Sequence, residues 1–71
     1  MAKWEIARED GHYVGVADAM DPRTAFCNCM MTYGMQLVER EIRAESLNHN
    51  GHRYKIIWDG ITYILTDKAL A

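Results

Sequence analysis

The side chains best suited to chemistry in this sequence are four metal-type ligands, Cys27, Cys29, His49 and His52. The cysteine pairs of zinc sites have two to four residues between them and lie on a turn, whereas Cys27 and Cys29 have one residue between them. If this stretch is a helix, the two thiols point about 200° apart, so they cannot form a disulfide or share a metal within it. The spacing favours two reduced thiols, buried or at an interface, and no metal or other cofactor is predicted.

Acid–base chemistry would need His12, Asp18 and Asp21 to converge where the first strands meet that helix. Asp21 is better explained as the residue that caps the helix, because it directly precedes Pro22. The sequence contains no phosphate-binding loop, no paired acids and no nucleophile with an evident base. We therefore predict that the protein is not an enzyme.

A third group of side chains is basic and has the charge needed to meet phosphate groups. It comprises His49, His52, Arg53 and Lys55. The chain as a whole carries a net charge of −2, which provides no electrostatic attraction to DNA or RNA. A few cationic groups on an acidic domain usually form a solvated face. Nucleic-acid binding through this face is the alternative function, and a salt titration would test it.

One long helix, predicted from Asp21 to Ser46, must position most of these residues. Asp21 is a good N-cap acceptor, and Pro22 takes the first helical position, where a missing N–H costs nothing. With 100° per residue, one set of apolar side chains falls within about 40° of a single line and is expected to face the core. This set is Phe26, Met30, Tyr33, Leu37 and Ala44.

The apolar surface of the predicted helix extends well beyond that core line. Apolar or small residues cover roughly 240° of its circumference, more than one sheet can bury. The uncovered strip carries Met31, Met35, Val38 and Ile42. The C-terminal residues and the polar loop after the helix offer too little apolar surface to cover it. The strip therefore predicts a protein–protein interface, and a homodimer formed through the helix would bury it.

Short strands flank the helix on both sides. The run 3–9 alternates between apolar and polar residues, and Asp10-Gly11 after it marks a turn. A three-residue loop that ends at Gly11, with this glycine at positive φ, predicts a register with two core pairs. These pairs are Ile6 with Val14, and Trp4 with Val16.

The second hairpin follows the helix. The run 52–58 is a third strand, and Asp59-Gly60 favours a two-residue type I′ turn into a fourth. That turn predicts three pairs on the core face, Trp58 with Ile61, Ile56 with Tyr63, and Tyr54 with Leu65. The opposite, exposed face of this hairpin is a possible second contact surface and carries Arg53, Lys55, Ile57 and Ile64.

Together the elements predict an α+β fold with the order ββαββ, in which a four-stranded antiparallel sheet has one long helix packed across one face. Residues 1–71 are expected to form a single domain. The predicted core is Trp4, Ile6, Val14, Val16, Phe26, Met30, Tyr33, Leu37, Tyr54, Ile56, Trp58, Ile61, Tyr63 and Leu65.

The composition is that of a folded globular chain, with 49% hydrophobic and 25% charged residues. No stretch approaches the ~20 apolar residues of a membrane span, and Met1 leads directly into a strand pattern without a signal peptide. We expect a soluble, cytoplasmic protein.

Three segments give the chain a distinctive order. They are the run WEIAREDGHYVGV from Trp4 to Val16, Asp21-Pro22 at the start of a Met-rich helix, and the run YKIIWDG from Tyr54 to Gly60. In length and order of elements the chain resembles the small phage-encoded anti-CRISPR proteins that inhibit type I effector complexes. This resemblance implies a non-enzymatic inhibitor that occupies a surface of a host protein complex in the host cytoplasm.

The first hairpin is also similar to the opening of HicB-type antitoxins, in which a strand pair precedes a helix. This chain lacks the third strand expected before the helix and a separate DNA-binding tail. An antitoxin-like regulatory protein is therefore the second interpretation of this resemblance.

Overall fold

The computed structural model describes residues 2–48 and 51–68. In chain order the elements are β1 (Ala2–Arg8), β2 (Tyr13–Ala19), α1 (Pro22–Thr32), a 3₁₀ turn (Glu39–Glu41), β3 (Ala44–Ser46), β4 (Arg53–Trp58) and β5 (Ile61–Asp67). The strands form one antiparallel sheet in the order β2-β1-β5-β4-β3, with α1 against one face. The α+β class is confirmed, but the sheet has five strands and not the predicted four.

The helix begins as predicted. Asp21 is the N-cap, and its side chain accepts a hydrogen bond from the N–H of Thr24 at 2.9 Å, while Pro22 follows it in the first turn. This carboxylate satisfies one of the N–H groups that the start of a helix leaves unpaired.

The predicted extent of the helix to Ser46 is wrong, since α1 ends at Thr32 after 11 residues. Gly34 takes a positive φ of 82° there. The N–H groups of Gly34 and Met35 donate to the carbonyls of Met31 and Met30 at 3.0 and 3.2 Å, a hydrogen-bond pair that closes a helix C-terminus. The residues that would have continued the helix instead return along it, and residues 44–46 join the sheet as β3.

The first hairpin has the predicted loop but not the predicted register. Gly11 has φ 95°, and the N–H of Arg8 donates to the carbonyl of His12 at 2.7 Å, as in a three-residue loop. The register then shifts by one residue between Ala7 and Ile6. Val14 is consequently an additional residue on β2, that is, a β-bulge.

This bulge reverses the faces of the rest of β2. Gly15 lies opposite Ile6 and Ala17 lies opposite Trp4, so the predicted pairs with Val14 and Val16 are wrong. Val16 turns to the outer face, where it is 43% exposed. The core face of β2 is left with glycine and alanine, which permit a close approach by α1.

The approach is close at Gly15. A Cβ atom placed on this residue would lie 2.8 Å from the Sγ of Cys29 on α1. That distance is shorter than carbon–sulfur contacts allow, so the absence of a side chain at Gly15 sets the height of the helix above β2.

The second hairpin forms as predicted. Asp59 and Gly60 both have positive φ, 53° and 76°, which is the signature of a type I′ turn. All three predicted core-face pairs are present, Trp58 with Ile61, Ile56 with Tyr63, and Tyr54 with Leu65.

Phe26 lies at the centre of the core between the helix and the sheet. It is fully buried, and its ring meets those of Tyr63 and Trp58 edge to face, with centroids 4.9 and 6.2 Å apart. Twelve of the predicted core residues are buried or pack against the core; they are Trp4, Ile6, Val14, Phe26, Met30, Leu37, Tyr54, Ile56, Trp58, Ile61, Tyr63 and Leu65. Val16 and Tyr33 are exposed, contrary to prediction. The core members missed are Ala19, Ala25, Cys27, Cys29 and Ile42.

Within the described part of the chain, no helix is long and apolar enough to cross a membrane.

Candidate interaction surfaces

The segment after α1 returns along one flank of the helix. The hydroxyl of Thr24, in the first turns of α1, donates to a carboxylate oxygen of Glu39 at 2.9 Å. Met31 lies seven positions after Thr24, which places it on the same flank near the other end of the helix. The chain between Met31 and Glu39 therefore runs back beside this flank.

Three apolar side chains stay exposed on that surface. Met31 is 60% exposed, Met35 41% and Val38 46%. We call these three residues the methionine patch. They are three of the four residues predicted to form an interaction strip, although the long helix from which the strip was inferred is absent.

The fourth residue of the predicted strip, Ile42, is buried, with 3% of its surface exposed. The chain has left the helix by this point, so the helical angle that placed Ile42 outside does not apply. Its N–H donates to the carbonyl of Glu39 at 3.0 Å, and its own carbonyl accepts from Arg23 at 3.4 Å. Ile42 thus belongs to the core and not to the methionine patch.

The second predicted surface lies on the sheet face opposite α1. Ile57 is 60% exposed and Arg53 is exposed, whereas Lys55 and Ile64 are half-buried neighbours on paired strands. Lys55 forms an ion pair with Glu45 at 3.5 Å. Its positive charge is therefore offset locally, and the face is a mixed polar surface with a small apolar spot.

Two tyrosines lie at the edge of the sheet near the first hairpin. Tyr33, predicted in the core, is 59% exposed, and its hydroxyl donates to the carbonyl of Val14. Tyr13 on β2 is 58% exposed.

Tyr33 directly precedes Gly34, and a glycine at this point of an apolar helical pattern is the sequence signal for the helix end that the periodicity concealed.

The two thiols are inside the protein. Cys27 and Cys29 are both free and buried. Burial raises the pKa of each thiol; Glu39 raises that of Cys27 further, against an opposing effect of Arg23. Both groups are therefore neutral near pH 7 and poor nucleophiles.

This burial predicts a loss of stability in alkali. The pKa of each thiol is raised on folding, so the unfolded chain, with a thiol pKa near 9.0, ionises first and is stabilised relative to the folded state as the pH rises. The free energy of unfolding should be constant up to about pH 8 and fall above about pH 9. Urea denaturation under reducing conditions at pH 7.5 and 9.5 measures this, and a Cys27→Ala, Cys29→Ala variant should show a smaller fall. An equal fall in both proteins would assign the effect to other groups.

Among the described residues, the candidate ligands and acid–base groups do not assemble. His12 lies before the start of β2 and Asp18 near its end, and a seven-residue strand spans about 23 Å. Asp21 is engaged as the helix cap. His49 lies outside the described residues, and among residues 2–48 and 51–68 no three His, Cys, Asp or Glu side chains converge as a metal-binding group.

No family model matches the chain, and no curated protein or solved structure is significantly similar to it.

Proposed function

We propose that this protein is a non-catalytic protein-binding module and that the methionine patch is its contact surface. The observation that supports this proposal is the exposure of Met31 near the end of α1 together with that of Met35 and Val38 in the segment that follows the helix. Adjacent exposed apolar side chains on a small domain are typical of binding surfaces. Methionine suits such a surface because its flexible, polarizable side chain adapts to different partners.

The resemblance to anti-CRISPR proteins indicates the class of partner. In this proposal the module binds a protein of a type I CRISPR effector complex in the host cytoplasm and inhibits it by occupying a surface. The same patch joins two copies of the chain as a homodimer in the absence of that partner. Both contacts bury the same apolar side chains, so they exclude one another.

Substitution of the patch by charge tests this function. Sedimentation of the wild-type protein is expected to show a dimer, and a Met35→Glu, Val38→Glu variant should be a folded monomer, because burial of two carboxylates opposes the contact. The double variant should also lose binding to a purified type I effector complex. Circular dichroism of the variant establishes that it is folded.

Met20→Glu is the matched control. Met20 is 81% exposed and directly precedes the N-cap Asp21, so it is not part of the patch. This substitution adds one carboxylate outside the patch, where the double variant adds two within it, and it should leave both the dimer and the effector binding unchanged. A wild-type monomer that binds no effector complex would refute the proposal, and a dimer that persists in the double variant would place self-association elsewhere.

A further inference from the structure

The two edges of the sheet differ. β3, at one edge, has three residues and carries Glu45, whereas β2, at the other, has seven residues. Edge strands expose unpaired N–H and C=O groups that can accept another strand, and short or charged edges limit this. β2 contains no proline or lysine, and Asp18 is its one charged residue. It is the less protected edge.

The neighbouring strand β1 shows which backbone groups face this edge. The N–H of Arg8 points toward β2, since it donates to the carbonyl of His12 at 2.7 Å. The N–H of the next residue, Glu9, points the other way and donates to Thr62 on β5 at 2.9 Å. Even-numbered residues of β1 therefore direct their backbone groups to β2, and odd-numbered residues direct theirs to β5.

Beyond the bulge, two residues of β2 consequently turn their backbone groups outward. Val16 lies opposite Glu5, and Asp18 lies opposite Lys3. Because Glu5 and Lys3 are directed to β5, the N–H and C=O groups of their partners on β2 point away from β1, into the open edge. At the neighbouring Val14 the carbonyl accepts from the hydroxyl of Tyr33, which marks one end of this open stretch.

The position of α1 decides what can occupy the edge. The contact between Gly15 and Cys29 places α1 directly above β2. A second copy paired antiparallel through its own β2 would bring its helix over the same face, about 4.8 Å away, the spacing of neighbouring strands. Packed helices need 8–10 Å between their axes. The edge therefore has room for a bare extended segment but not for a second copy.

We propose that the β2 edge at Val16 and Asp18 binds an extended segment of a partner protein as a sixth strand, antiparallel to β2. The exposed side chains of Val16 and Tyr13 favour apolar residues on the outer face of that segment. Asp18 favours a lysine or arginine near its N-terminal end, which antiparallel pairing places opposite Asp18. This inference rests on the proposed role as a protein-binding module and adds a second contact, separate from the methionine patch.

A peptide of defined sequence tests the proposal. The probe is an acetylated and amidated heptapeptide that alternates threonine and valine and carries lysine as its second residue, so that this lysine lies opposite Asp18 and the central residue opposite Val16. At millimolar concentration it should slow hydrogen exchange of the Val16 and Asp18 amides, measured by NMR on the labelled full chain. The same peptide with one N-methyl group on its central, edge-facing amide should bind at least about tenfold more weakly, since backbone hydrogen bonds are lost. Unchanged exchange of both amides would overturn the proposal.

Substitution of Val16 provides the test on the protein side. Val16→Pro removes an N–H that points outward and breaks no hydrogen bond to β1, and edge strands accept proline at such positions. The variant should bind the peptide at least about tenfold more weakly. Val16→Thr keeps the N–H and should bind like the wild type. Equal binding by Val16→Pro would overturn the proposal, and if that variant fails to fold, the N-methyl comparison decides. The Met35→Glu, Val38→Glu variant should bind the peptide normally, so the two contacts can fail separately.

Discussion

Replacing Phe26 with alanine should lower the free energy of unfolding by about 3–5 kcal/mol, the usual cost of removing a buried aromatic ring. Phe26 is fully buried and contacts the rings of both Tyr63 and Trp58, which belong to different strands. The cavity would thus separate the helix from the centre of the sheet. Small domains have about 5 kcal/mol of stability in total, so much of the variant should be unfolded at 37 °C.

Urea denaturation followed by tryptophan fluorescence measures this loss. Met20→Ala is the control, because Met20 is 81% exposed and lies outside the methionine patch, so its truncation should change stability by no more than about 0.5 kcal/mol. If the two variants were equally stable, Phe26 would not occupy the centre of the core.

The second large effect is expected at Gly15. The added methyl group of Gly15→Ala would lie 2.8 Å from the Sγ of Cys29, so either the helix moves away from β2 or the sulfur leaves its position. Overpacking of this kind costs about 1–3 kcal/mol. The cysteine sulfur relieves the clash only by rotating about a single bond, whose orientations are restricted in a helix.

A double-mutant cycle identifies the cause of that loss. Cys29→Ala removes the sulfur atom, so Gly15→Ala should be substantially less destabilising in the Cys29→Ala background than in the wild type. Additive effects, within about 0.5 kcal/mol, would mean that the clash is not with Cys29.

Turn chemistry predicted the parts of the fold that depend on local sequence. Asp59-Gly60 specifies a two-residue turn, and that turn fixes the register of the whole second hairpin. Asp21-Pro22 likewise specified the start of α1. In both cases a few adjacent residues determine the outcome without reference to distant contacts.

The first hairpin and the end of the helix depend on packing that the local pattern does not contain. The bulge at Val14 places the small residues of β2 on the face that α1 covers. This arrangement stabilises the fold only when the helix is packed on β2. The apolar periodicity continues past Gly34, where the helix ends, so the periodicity alone predicts one continuous helical surface. Leu37 and Ile42 complete the core from the returning segment, which explains why both are apolar without being helical.

The exposure of the methionine patch was predicted from a long helix that the structure does not contain. Met31 is exposed because it lies on the outer flank of α1. Met35 and Val38 are exposed because they lie in the extended segment that follows α1. Apolar residues in excess of what one sheet can cover were visible in the sequence. Their division between core and surface required the path of the chain.

The pairing of β1 with β5 has a consequence for the order in which this protein folds. Each hairpin can form from neighbouring residues, but Trp4 and Asp67, which pair at the centre of the sheet, lie almost the full described chain apart. Closing so long a loop carries an entropic cost before any contact offsets it, and a lone hairpin is marginal in water. The step that joins the two hairpins should therefore limit the folding rate, and neither half should persist without the other.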